Sequence, residues 1–109
     1  MAHVLLRYTL APDYRARRGA LREAHLALAW AAADAGTLLL GGAVGEPPES
    51  ALLLFGDAEA ARSFAAQDPY VTNGLVTRWD VEPWATVVGA EAATPIRPAG
   101  SLRDEDRLA

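Results

Sequence analysis

The stretch Val4-Leu-Leu-Arg7-Tyr8-Thr9-Leu10 predicts a β-strand. Val4, Leu6, Tyr8 and Leu10 share one face and His3, Leu5, Arg7 and Thr9 the other, which is the two-residue period of a strand. The second face is half polar, so only the first is a plain core face. Ala11-Pro12-Asp13 ends the run. From Arg15 to Ala35 the period becomes that of a helix: Leu21, His25, Leu28 and Ala32 recur on one stripe. Gly36 follows at the position where helices close through a left-handed residue. Leu26, Trp30 and Ala33 fall on the opposite side as a second apolar patch, which needs cover from another subunit or from the tail. Arg15, Arg17, Arg18 and Arg22 open the helix at the end where its dipole disfavours cations. They predict a solvated basic face.

Thr37 to Gly45 predicts a second strand that loosens at Gly41 and Gly42, and Glu46-Pro47-Pro48-Glu49 a turn. Ser50 to Phe55 is apolar on both faces, which predicts a central strand. Asp57 is placed to cap the next helix, Ala58 to Gln67, which buries Ala61, Phe64 and Ala65. Pro69 ends that helix by crowding the preceding residue out of helical conformation, so Asp68 is fixed at a helix end. Tyr70 follows at once, and Asn73-Gly74 supplies a second turn. The last strand runs from about Val76 to Val88, and Pro83 within it confines it to a sheet edge or a bulge. Trp79, Val81 and Val87 share one of its faces; Arg78, Asp80, Glu82 and Trp84 share the other.

The order β-α-β-β-α-β predicts an α+β, ferredoxin-like domain with a four-stranded antiparallel sheet covered by helices on one face. The uncovered face would carry Arg7, Arg78, Asp80, Glu82 and Trp84. Such a face is too polar for a monomer core and too aromatic for idle surface. It predicts a homodimer in which two sheets face each other around a polar cavity. Residues 1–89 form the domain, and 90–109, rich in proline and then in charge, form an extended or disordered tail.

Composition narrows the function classes. A chain of 109 residues is one domain. All ten basic residues are arginine, and the net charge of −4 weighs against nucleic acid as partner. The absence of cysteine excludes disulfides, thiolate catalysis and cysteine-ligated metals. His3 and His25 are the only histidines and no ligand-spaced cluster surrounds either, so neither metal nor cofactor is expected. Leu26 to Ala33, the longest near-apolar run, falls far short of the ~20 residues of a membrane span. Arg7 interrupts the apolar start too early for a signal-peptide core. The expectation is a cytoplasmic protein that meets no membrane and binds a small molecule.

The chemistry rests on His25 and Asp68. Imidazole exchanges a proton near neutral pH, and a carboxylate beside it fixes its tautomer. The pair reads two ways: an acid/base couple with Tyr70 nearby, or a core histidine pinned to a carboxylate to lock two helices together. No serine sits on a glycine-flanked elbow, which leaves nucleophilic catalysis without support.

At these residues the sequence resembles the YciI-like (YCII-related) family of the dimeric α/β-barrel superfamily. The resemblance spans about Val4 to Gly89. It is carried by Arg22-Glu23-Ala24-His25-Leu26, by Gly36-Thr-Leu-Leu-Leu-Gly41-Gly42, by Phe64-Ala-Ala-Gln-Asp68-Pro69-Tyr70 with Gly74-Leu75, and by Glu82-Pro83-Trp84 before Val87-Val88. It implies a ferredoxin-like protomer that dimerises through its sheet, and a cleft with His25 and Asp68 as the catalytic pair, where Asp68 matches the Asp-Pro motif and Asp34, near the end of the first helix, is the weaker candidate for the acid. Gly42 would stand at the pocket rim, where Ala43 follows in place of the family's frequent proline. Related proteins act in dehalogenation and other steps on aromatic compounds, and the same barrel holds muconolactone isomerases and monooxygenases. The expectation is a cofactor-independent enzyme for a small polar, aromatic or lactone substrate. His25 and Asp68 would be catalytic, and Arg7, Tyr70, Gly42 and Trp84 substrate contacts. Isomerisation or elimination fits, since both need only proton transfer. The alternative is a non-catalytic dimer that binds a small ligand or assists a partner enzyme.

Overall fold

The computed structural model describes residues 2–99; the last part of the expected tail, 100–109, lies outside the described residues. The chain runs β1 (His3–Leu10), α1 (Tyr14–Asp34), β2 (Leu38–Gly45), β3 (Pro48–Phe55), α2 (Ala58–Gln67), α3 (Pro69–Thr72) and β4 (Val76–Trp84). The four strands form one antiparallel sheet in the order β2-β3-β1-β4. This is the ferredoxin-like arrangement. β3 is interior, as its two apolar faces require, and Pro83 lies on the edge strand β4.

The alternation in β1 sets the sheet's two sides. Val4, Leu6, Tyr8 and Leu10 are buried, while Arg7 and Thr9 are exposed. Leu53 and Phe55 of β3 join them beneath α2, whose Ala61, Phe64 and Ala65 are all buried. Asp57 accepts the Ala60 N–H at 2.9 Å and so caps α2. Gly36, with φ +85°, closes α1. The opposite side of the sheet is uncovered: Leu5, Leu52 and Leu54 are only half-buried there. Arg7 pairs with Glu82 at 3.1 Å and Arg78 with Asp80 at 3.3 Å on this side.

Three local features differ from the sequence reading. β3 begins at Pro48, inside the expected turn. β4 ends at Trp84 instead of Val88, because the chain there folds back: Thr86 O accepts Thr94 N and Val87 O accepts Ile96 N. The described part of the tail is thereby tied to the domain, and the Thr86 hydroxyl also bonds His3 Nδ1 at 2.6 Å. The third feature is α3. Asp68 is at once the C-cap of α2 and the N-cap of α3, with Pro69 in the first turn. Proline ends one helix and is well suited to start the next, since its missing N–H is one of the unsatisfied donors of a first turn.

Candidate functional site

The Asp-Pro junction aims the Asp68 side chain inward. Asp68 is extended (φ −64°, ψ 123°), its N–H donates to Phe64 O, and its carbonyl accepts from Val71 and Thr72. Its carboxylate is fully buried yet fully engaged. Oδ1 accepts the Tyr70 N–H at 3.1 Å and bonds His25 Nδ1 at 2.8 Å; Oδ2 accepts the Tyr8 hydroxyl at 2.7 Å. β1, α1 and the α2–α3 junction thus meet on one acid, 43 residues from the histidine and 60 from the tyrosine.

That acid determines what His25 can do. A carboxylate only accepts, so Nδ1 carries the proton that joins them and a neutral ring is left with a basic Nε2. Nε2 has no protein partner among the described residues and is open to solvent. The ring cannot swing freely. It stacks on Tyr70 at 3.9 Å between centroids and 6° between planes, with Phe64 edge-on at 6.3 Å. Tyr14 in turn meets Tyr70 edge-on at 5.9 Å.

A cavity of about 440 Å³ opens here, between α1 and the sheet. Its polar lining comes from His25, Tyr8, Tyr14, Tyr70, Arg18 and Arg22; Leu26, Trp30 and Leu38 to Ala43 are among its apolar walls. Leu26, Trp30 and Ala33, expected to need a cover, are therefore the outer wall of a cavity. Arg18 and Arg22 correct the reading of the basic run as a solvated face. Arg15 pairs with Glu46, and Arg17 with Asp13 and the Asn73 carbonyl, but the two arginines on the histidine's stripe line the cavity. Arg18 lies over the Tyr14 ring at 5.8 Å.

Of the residues expected from the sequence, the structure brings His25, Asp68, Tyr70 and Gly42 to this one place. Arg7 and Trp84 are elsewhere. They lie on the uncovered side of the sheet, Arg7 paired with Glu82 and Trp84 opposite His3. Asp34 is exposed at the end of α1 and Asp68 holds the imidazole. The cavity that carries the pair is on the helix-covered side of the sheet, within one protomer. At Gly42 an added Cβ would meet nothing within 4 Å, so packing does not demand glycine there. Among the described residues no three histidine or carboxylate side chains converge as a metal site would need.

Tyr8 is the residue the sequence reading passed over, though a signal was present. A phenol on an otherwise aliphatic core face needs a partner for its hydroxyl, and Asp68 was the acid in search of one. Burial, the Asp68 charge and the bond donated to it push the Tyr8 pKa far up. Burial, the Tyr14 phenol and Asp68 push Tyr70 up to about 12, against the pull of Arg22. Both therefore stay neutral at physiological pH. Tyr8→Phe leaves a buried carboxylate oxygen without its donor and is expected to cost about 1–3 kcal/mol of stability, read by denaturant unfolding. The raised pKa values also predict alkaline loss. Below the ordinary tyrosine value of about 10 the phenols are protonated in both folded and unfolded chains. From there towards about 12 only the unfolded chain ionises, so stability falls with rising pH. The decline is expected to be shallower in Tyr8→Phe, and an equal slope would contradict the burial of that proton.

The sheet order, the helices on one side and the imidazole–carboxylate pair beside a ligand-sized cavity define a small ferredoxin-like α+β protein with a single organised site among the described residues. The YCII-related domain model matches residues 1–85, and the chain belongs to that family. The chain is similar to two solved structures. TftG of Burkholderia phenoliruptrix, a 5-chloro-2-hydroxyhydroquinone dehydrochlorinase solved with 2,5-dihydroxybenzoquinone, is 20% identical with a TM-score of 0.59, over 79% of this chain and 95% of that one. Rv0793 from Mycobacterium tuberculosis is 19% identical with a TM-score of 0.48, over 83% and 98% of the two chains. No curated protein matches the chain significantly.

Proposed function

We propose that this protein is a cofactor-independent acid–base enzyme, in which His25 moves a proton on a small polar ring compound held in the cavity beneath α1. The observation that carries the reading is the 2.8 Å bond between Nδ1 and Asp68, which leaves Nε2 free on the cavity side of a ring locked by Tyr70. Asp68 fixes the tautomer and holds the charge that develops when Nε2 takes a proton. Tyr8 and the Tyr70 N–H orient Asp68. Tyr70 and Gly42 line the space where the substrate sits. Isomerisation and elimination both fit: in the first Nε2 takes a proton from one position and returns it at another, and in the second it takes a proton as the leaving group departs with its bonding electron pair, then releases that proton to solvent. TftG, a dehydrochlorinase of a hydroxylated ring, lends the reading a precedent for the fold, while the residues here lend it the mechanism. A screen of small aromatic acids and lactones by thermal shift finds the ligand, and His25→Ala then tests the role. Loss of turnover with ligand binding kept supports the enzyme; full turnover in the variant removes His25 as the base, and a wild-type protein that binds ligands without converting any of them is a non-catalytic binding protein.

The uncovered side of the sheet supports the second part of the proposal, a homodimer through that surface. Leu5, Leu52 and Leu54 form an aliphatic strip there beside Arg7 and Trp84, which would act at the interface. Light scattering is expected to give twice the chain mass at micromolar concentration, and Leu52→Glu to shift it to the monomer. A wild-type monomer would refute the assignment.

A further inference from the structure

Arg18 and Arg22 are the described arginines that line the cavity, and neither has an acidic partner. Arg7, Arg15, Arg17 and Arg78 are each paired with a carboxylate, whereas Arg18 and Arg22 make no ion pair or hydrogen bond with any described residue. Both line the cavity, and no aspartate or glutamate lines it with them. Asp68, which holds the His25 ring, is fully buried and committed to three donors. The phenols of Tyr8 and Tyr70 hold their protons and add no negative charge. The remaining wall is apolar and aromatic.

We infer that the cavity selects a ring-bearing oxyanion, an aromatic carboxylate or phenolate, with Arg22 and Arg18 as its specificity-determining residues. Position sets the roles. Arg18, Arg22 and His25 stand at successive turns of one stripe of α1, and side chains three or four apart on a helix are neighbours, about 5–6 Å between Cβ atoms. Arg22 is one turn from the imidazole. An oxyanion held by its guanidinium, which offers a planar fork of donors to such a group, places the adjacent ring positions at Nε2. Arg18, braced against the Tyr14 ring, holds a second oxygen nearer the mouth. Trp30, Leu26 and Leu39 cover the ring from outside. The inference deepens the acid–base reading and rests on it for the cavity's being the substrate site.

Equilibrium binding tests it without turnover. The probes are naphthoate and its uncharged amide, titrated calorimetrically into the wild-type protein, into Arg18→Gln/Arg22→Gln and into Arg15→Gln as a control outside the cavity. Naphthoate is expected to bind the wild type and the control about tenfold more tightly than the amide, the scale of one charge-assisted bond at a partly exposed site. The double variant is expected to lose that preference while keeping its affinity for the amide. The wild-type preference should also shrink as salt is raised, a measurement that needs no variant to fold. Equal wild-type affinities, no binding of either probe, or a preference that survives the double substitution each overturns the inference. The two readings separate cleanly. A charge preference with turnover indifferent to His25→Ala keeps the anion site and discards the acid–base enzyme; no preference with turnover that needs His25 does the reverse.

Discussion

Asp68→Ala is expected to be the most destabilising single substitution in the protein, costing about 3–5 kcal/mol, the scale of removing one partner from a buried charged contact. Three donors lose their acceptor together: the Tyr8 hydroxyl, the Tyr70 N–H and His25 Nδ1. The first two are buried, so water cannot replace the carboxylate without opening the core. Domains of this size hold only about 5–15 kcal/mol in reserve, so the melting temperature should fall by roughly 15 °C or more. Asp68→Asn separates structure from chemistry. The amide has the same shape but one oxygen, so it cannot accept from all three donors. If the oxygen stays with Tyr8, the amide N–H₂ faces His25 and the imidazole must accept at Nδ1. The proton then moves to Nε2 and the cavity loses its base. The measurement is nitrogen NMR of the imidazole beside a thermal melt. The wild type is expected to show a protonated Nδ1 and the Asp68→Asn variant a protonated Nε2. A wild-type tautomer in Asp68→Asn would undo the account of how the acid acts.

The second large effect is on turnover. His25→Ala is expected to lower it by a factor of about 10²–10⁴, the range for removing a positioned general base. Its cost in stability should be small beside that of Asp68→Ala. The imidazole is partly exposed, and Asp68 keeps Tyr8 and the Tyr70 N–H when it is gone. What is lost structurally is the stacked contact with Tyr70. Opposite rankings in the two assays are the signature: Asp68→Ala worst in the melt, His25→Ala harmless there yet nearly inactive. A His25→Ala protein that melts far below the wild type and turns over normally would reassign the histidine to packing alone.

Much of the frame is local and was legible in the chain. β1 was visible because Val4, Leu6, Tyr8 and Leu10 alternate with polar positions, and α2 because Asp57 and Pro69 bracket it. α3 was missed although Asp68-Pro69 is a good helix start, because the same proline had already been used to end α2. The end of β4 was missed because Trp84 to Val88 keeps a strand's composition while its backbone partners come from residues 94 and 96. No pattern within a run of five residues encodes such a fold-back.

The site divides along the same line. The residue types were readable: one histidine on an apolar stripe, one acid frozen before a proline, a tyrosine after it. Local rules decide these, since capping, proline sterics and helical period each act over a few neighbours. Which groups meet is a property of the packed chain. The partner of Asp68 on β1, the side of the sheet that holds the cavity, and the departure of Arg7 and Trp84 to the other side all follow from how α1 settles over the sheet. So does the entry of Arg18 and Arg22 into the cavity wall while Arg15 and Arg17 find acids elsewhere. A helix's face is written in its sequence; what lies opposite that face is written only in the fold, because burial and charge pairing sum contributions from segments far apart along the chain.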